Sequence, residues 1–293
     1  MAEMIDGICL GSQRVEAIGY KKEFRTSQML FDLSKVAQRI IGLVFSLSII
    51  FSQIDPLSSD AKEISIDRHL RYESDDPSKY LIYRGFVVSY DSLNKIAEYS
   101  IHLLEPAQIS GSGKRAKRRN DFFIDQSLGK YSSNNIDYRG SNYDRGHLVP
   151  AGDFTWDQSL KDETFVLSNV APQNPNLNRG VWRTLENSIR RDVISCQCEA
   201  LIITGTIMDP DNTVRIGQVG IPESFYKMVY FPQKKEMYAF HMKNQSALDR
   251  TLMGSQTTVD SLESILNKDF FERIPDELEN QLESNHRSTI RYN

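Results

Sequence analysis

The tetrapeptide Asp144-Arg145-Gly146-His147 sets an imidazole two positions from a guanidinium. A neutral imidazole titrates near physiological pH and can take a proton from water. The glycine between them lets the backbone bend or approach closely. Downstream, Ser168-Asn169-Val170-Ala171-Pro172-Gln173 leads into a segment carrying Asn178, Trp182, Glu186 and Arg190. Leu177, Val181, Leu185, Ile189 and Val193 recur at every fourth position, which predicts a helix over 177–193. On such a helix Asn178, Trp182, Glu186 and Arg190 drift by about 40° per step along one side. Asn178 can then offer a carbonyl oxygen to a hard cation and Glu186 can hold water around it, because magnesium prefers oxygen ligands and keeps several waters. A base, a divalent metal and one or two arginines are the parts that phosphodiester hydrolysis requires. Water must lose a proton, the added negative charge of the transition state must be neutralised, and the leaving oxygen must be stabilised.

Each part also has a structural reading. A lone histidine is commonly a packed side chain, Asn178 suits a helix cap, and Glu186 with Arg190 suits a surface ion pair at i,i+4. Trp182 suits plain core. The run Lys114-Arg115-Ala116-Lys117-Arg118-Arg119 is either a solvated basic loop or an arm that contacts phosphate beside a site.

The elements that must position these residues follow from periodicity. Leu81–Tyr90 and Glu98–Leu104 read as a hairpin around a polar segment that includes Asp91-Ser92-Leu93-Asn94-Lys95. Thr164–Val170, Leu201–Thr204, Val214–Val219, Phe225–Phe231 and Met237–Met242 read as strands, and Ser261–Leu266 as a short helix. The division expected is a targeting or membrane-anchor region over 1–55, a linker over 56–79, a folded domain over 80–274 and a polar, poorly ordered tail over 275–293. The apolar run 40–51 is shorter than the roughly 20 residues that span a bilayer comfortably. Its flanks still favour an anchor or targeting role over an ordinary buried helix.

Composition sets outer limits. With 40% hydrophobic and 25% charged residues, collagen-like and wholly disordered chains are excluded. The formal net charge of −4 leaves room for a local basic cleft. Three cysteines, with Cys196 and Cys198 two positions apart, argue against a disulfide-stapled scaffold; that pair is expected to be too close for an ordinary structural disulfide.

Taken in order, Tyr138-Arg139-Gly140-Ser141, Asp144-Arg145-Gly146-His147, Thr164-Phe165 with Ser168-Asn169-Val170-Ala171-Pro172-Gln173, and Leu177-Asn178 with Trp182, Glu186 and Arg190 resemble the DNA/RNA non-specific nucleases. This is the ββα-metal, or His-Me finger, group, and the likeness is to its mitochondrial endonuclease G branch. It covers roughly residues 80–270. The resemblance implies an α+β fold in which a central antiparallel β-sheet is flanked by helices, with a ββα-metal active-site unit. It implies His147 as general base, Asn178 as the direct Mg2+ ligand with Mn2+ as a substitute, and Glu186 holding waters around the metal. Asn169 would fix the histidine region, Arg145 and Arg190 would support the site, and Arg119 would meet the scissile phosphate, with Arg118 adjacent. Lys114, Arg115, Lys117, Arg118 and Arg119 would contact nucleic acid. The partners implied are DNA and RNA, with 5′-phosphate and 3′-hydroxyl products, a homodimer, and a mitochondrial location. A membrane-anchored or secreted location is the alternative. The exonuclease branch has serine where this chain has Asp144, which favours endonuclease action.

Competing readings are a catalytically silent nucleic-acid-binding protein of the same fold, an exonuclease of the same family, and a membrane-tethered phosphodiesterase for a small substrate. The basic run 114–119 argues for a polyanion over the last.

Overall fold

The computed structural model describes residues 80–110, 115–246 and 252–284. The apolar stretch 40–51, the linker 56–79 and Lys114 lie outside the described residues. Strands are numbered in chain order. β1 (Tyr80–Ile82), β2 (Phe86–Asp91) and β3 (Ile96–Leu104) form a meander. β4 (Asp144–His147) pairs with β5 (Val170–Gln173) in a separate antiparallel hairpin. β6 (Ala200–Ile207), β9 (Ser224–Phe231), β10 (Glu236–Lys243) and β11 (Gln256–Thr257) continue the main sheet, while β7 (Arg215–Ile216) and β8 (Val219–Gly220) make a small hairpin. The main sheet has seven strands in the order β1-β2-β3-β6-β9-β10-β11, all antiparallel. The architecture is α+β, as the sequence predicts.

β9 shows why the sheet is central. Its eight residues are all buried. Side chains alternate across a strand, so Phe225, Val229 and Phe231 enter one core while Tyr226, Met228 and Tyr230 enter the other. Each such aliphatic or aromatic side chain contributes about 1.5–3 kcal/mol when withdrawn from water. A strand buried on both faces therefore reads as a near-continuous apolar run. Lys227 interrupts that run on the same side as Phe225 and Val229.

Three longer helices cover the sheet. α1 (Arg183–Cys196) puts Leu185, Ile189 and Val193 into the first core, on the side that also receives β4 and β5. α2 (Val259–Leu266) and α3 (Asp276–Glu283) put Val259, Leu262 and Leu282 into the second. Thr258 caps α2 through the Ser261 amide, and acidic residues fill the first turn of α3, where they oppose the helix dipole. None of the helices among the described residues is long and apolar enough to cross a membrane.

Several local expectations are corrected. Residues 164–169 are not a strand: Thr164 closes the helix Gln158–Glu163, and a 3-10 turn covers Leu167–Asn169 before β5 begins at Val170. Phe165, Val166 and Leu167 are apolar because this turn is buried on every side. The Val214–Val219 segment is a tight hairpin turning at Gly217, whose φ is +52°. Among the described residues after Pro275, Asp276–Glu283 is a helix, docked through Leu282 in the core. Cys196 and Cys198 are disulfide-bonded. Gln197 between them adopts a left-handed conformation at the end of α1, and the two Cα atoms stand 5.2 Å apart, within the usual disulfide range.

Candidate active site

The predicted helix over 177–193 is broken into three parts. Pro175–Leu177 is one short turn, Asn178–Trp182 is a π-helical turn, and α1 follows. Gly180 sits in the break with φ −103° and ψ −114°, outside the helical region. The insertion turns Trp182 fully inward, against Phe225 and under the Lys227 ammonium. Asn178 and Glu186 remain together on the open side. With Arg118, Tyr143, Asp144, Arg145, His147, Arg179 and Arg183 they line a cavity of about 440 Å³.

β4 and β5 deliver His147 to this cavity. Their register pairs Gly146 with Ala171 and His147 with Val170. A Cβ on Gly146 would lie 2.3 Å from the Gln173 side-chain oxygen, so the buried Gln173 requires glycine there. Asn169 secures the chain just beyond the histidine. Its Oδ1 accepts from the Val149 amide at 3.0 Å, and its Nδ2 donates to the carbonyls of Val149 and Thr164. Asn169 is fully buried, and its bonds fix the backbone at Val149, two residues beyond His147.

The His147 ring is held between aromatics, 5.0 Å from Phe122 and edge-on to Phe165 at 4.9 Å. Its Nε2 makes no hydrogen bond within the protein. Burial, aided by the positive charge of Arg118, pushes its pKa down to about 3. The imidazole is therefore neutral at physiological pH, the form that can accept a proton.

Arg145 lies over the rings of Tyr138 and Phe122 and donates to the Asn135 carbonyl at 3.2 Å. Asp144 receives Arg179 on both carboxylate oxygens and the Asn178 amide nitrogen at 2.9 Å. Burial raises the Asp144 carboxyl, but Arg179 and Asn178 outweigh it and hold it below its usual range. With its nitrogen occupied, Asn178 retains its carbonyl oxygen as an acceptor. That oxygen and the Glu186 carboxylate are hard donors of the kind magnesium takes, so the residues present fit such an ion.

Glu186 is raised by burial, while Lys227 and Arg190 oppose that shift and Asp153 adds to it. Arg190 stands 3.8 Å from it and binds the buried Asp153, which also accepts from His102 Nε2 at 2.9 Å. Beneath them Lys227 donates to the Thr204 hydroxyl. Asp153, His102 and Lys227 were not singled out from the sequence. The signal available was a lone polar residue in each of three apolar contexts: His102 in Ile101–Leu104, Asp153 before Phe154, and Lys227 in β9.

The structure thus brings His147, Arg145, Asn178 and Glu186 to one cavity and sets Arg190 and Asn169 behind them. It separates the members of the basic run. Arg118, not Arg119, lines the cavity, with its guanidinium 5.4 Å from the Phe165 ring centre. Arg119 is held away, donating to the Asp121 carbonyl and lying over Phe123. Arg115 and Lys117 are exposed and do not line the cavity.

Comparison with known proteins agrees with this geometry. The family profile described as DNA/RNA non-specific endonuclease matches residues 69–277. Human mitochondrial endonuclease G is 35% identical over 157 residues, covering 50% of this chain and 52% of that protein. The chain therefore spans about half the length of that relative. A nuclease of Nostoc sp. is 26% identical over 265 residues, covering 84% of this chain and 94% of its own. The crystal structure of an EndoG/EndoGI complex, concerned with EndoG inhibition, matches with a TM-score of 0.61 at 29% identity, over 68% of this chain and 88% of that one. A β-hairpin carrying the histidine, a π-helical turn and helix carrying the asparagine and the glutamate, and a profile match across most of the described residues converge on one assignment: the chain belongs to the DNA/RNA non-specific endonuclease family.

Proposed function

We propose that this chain is a magnesium-dependent, sugar-non-specific endonuclease that hydrolyses phosphodiester bonds in DNA and RNA. The observation that carries the reading is His147: a neutral imidazole with an unpartnered Nε2, lining a cavity shared with Asn178, Glu186 and four arginines, Arg118, Arg145, Arg179 and Arg183.

In this reading His147 Nε2 takes a proton from water as the water oxygen attacks phosphorus. The bond from phosphorus to the 3′-oxygen breaks, and that oxygen takes a proton from solvent. Arg118 and Arg145 hold the non-bridging oxygens, whose charge grows in the transition state. Asn178, with Glu186 alongside, would hold magnesium, or manganese in its place, which would supply Lewis-acid stabilisation of that charge. Arg190 and Asp153 fix Glu186 from behind. The homodimer and the mitochondrial location follow the likeness to endonuclease G and belong to the same proposal.

The test is cleavage of supercoiled plasmid and of a structured RNA. Wild type with magnesium is expected to cut both. EDTA and His147→Ala are each expected to lower the rate by at least ~10³-fold. Folded wild type that binds DNA but cuts nothing with magnesium or manganese would replace the enzyme reading with a nucleic-acid-binding one.

A further inference from the structure

On the sheet face opposite the cavity, α2 and α3 turn carboxylates toward each other. Asp260 and Glu263 lie one turn apart on α2, and Glu279 and Glu283 one turn apart on α3. A carboxylate oxygen of each of Asp260, Glu263 and Glu283 lies within 4.8 Å of the other two. Oxygens that share a calcium ion at about 2.4 Å cannot be more than about 4.8 Å apart, so the three already meet the spacing of one coordination sphere.

A second observation concerns how these oxygens are satisfied. Glu283 is only 6% exposed, and its Oε1 is buried without a hydrogen-bond partner. The Glu279 Oε1 one turn earlier is buried and unpartnered as well. Glu263 accepts one bond, from the Phe270 amide at 2.8 Å. Buried carboxylate oxygens are ordinarily paired, because stripping their water without replacement is costly. The charges that act on Glu263 and Glu283 are further carboxylates, those of Asp260, Asp269 and Glu279. Burial, with that repulsion added, pushes Glu263 up to about 7 and Glu283 up to about 8.

We propose that Asp260, Glu263 and Glu283 form a binding site for a hard divalent cation of the calcium class, which clamps α3 onto α2. The donors are all oxygens, which disfavours zinc. Their irregular approach from two helices suits the flexible coordination of calcium better than the strict octahedron of magnesium. The intervening segment buries Phe270, Phe271 and Ile274 against the sheet. Binding is therefore linked to docking of the whole α2–α3 unit, and the site is separate from the proposed catalytic metal.

The experiment is calcium titration of the full chain without nucleic acid, read by calorimetry and by thermal unfolding at pH 8. Calcium at ~1 mM is expected to raise Tm by about 3–6 °C. Asn178→Ala, which removes the proposed catalytic ligand, is expected to keep that rise. Glu283→Gln is expected to raise the calcium-free Tm by relieving repulsion, and to lose most of the calcium response, with affinity at least ~10-fold weaker. Asp260→Asn, at an exposed position that tolerates change, is expected to weaken calcium in the same way. Identical titrations of wild type, Glu283→Gln and Asp260→Asn overturn the proposal, as does a calcium response that disappears in Asn178→Ala alone.

Discussion

Arg190 sets one guanidinium nitrogen on Asp153 and the other 3.8 Å from the Glu186 carboxylate. One buried acid thus positions a cation that in turn positions a cavity acid. Asp153→Asn removes the negative charge and leaves Arg190 without its buried counter-ion. Loss of one partner of such a pair costs about 3 kcal/mol, and kcat is expected to fall roughly 10-fold as Glu186 loses its fixed neighbour. Burial raises the Asp153 carboxyl, but Arg190 and His102 outweigh it, so it lies below its ordinary value of 3.8. A carboxyl depressed in the folded state contributes stability above its unfolded pKa and loses it as pH falls through the folded one. Wild type should therefore show an acid-sensitive step below about pH 4 that is reduced in Asp153→Asn. Urea midpoints measured from pH 3 to 7 check this; superimposable curves count against the coupling.

His147 carries a signature of the same sign at higher pH, since its folded-state pKa is also depressed. With its pKa near 3, it stays neutral far below the usual histidine value of 6.5. The unfolded chain takes up a proton between these values and the folded chain does not, so this group's contribution to stability falls as pH drops from about 6.5 toward 3. Catalysis should not follow a pKa of 6.5 either. The expected kcat/KM profile at saturating magnesium is flat from about pH 8 to pH 5 on the base limb. A fall centred near 6.5 would mean that the ring is better hydrated than its aromatic cage allows.

The neighbouring arginines should separate cleanly. Arg118→Ala removes a guanidinium that lines the cavity, and about a 10- to 100-fold loss in kcat/KM is expected. Arg119→Ala removes one tied to the Asp121 carbonyl, and less than about a 3-fold loss is expected at moderate salt. Steady-state kinetics on one oligonucleotide decide the matter, and the reverse order would return the phosphate contact to Arg119.

Gly146→Ala tests the hairpin. The new methyl would meet Gln173 at 2.3 Å, and Gln173 is buried. Overpacking of this kind costs about 1–3 kcal/mol. Because the strain falls on the residue before His147, activity should drop by more than the loss in folded fraction explains. Retention of full specific activity would show that β4 can move without disturbing the base.

The sheet and the hairpin were legible because alternation and fourfold spacing record burial directly. That His147, Asn178 and Glu186 would share one cavity was legible because they sit at fixed local spacing within β4 and the segment after β5. What lay hidden depends on contacts between distant segments. Asp153 meets Arg190 across 37 positions, and Lys227 meets Thr204 across 23. No local pattern announces such pairs. The choice between Arg118 and Arg119 depended on which way one exposed turn points, and the break at Gly180 on a backbone geometry that apolar periodicity does not encode. The strand expected over 164–170 failed because a fully buried turn and a strand have the same composition.

The sheet also divides charge. Arg118, Arg145, Arg179 and Arg183 gather on one side, and the carboxylates of α2 and α3 gather on the other. A net charge of −4 conceals this polarity. A polyanion would attract the first set of side chains and be repelled by the second before any contact. Encounters with the proposed nucleic-acid substrate would then lead with the arginine side.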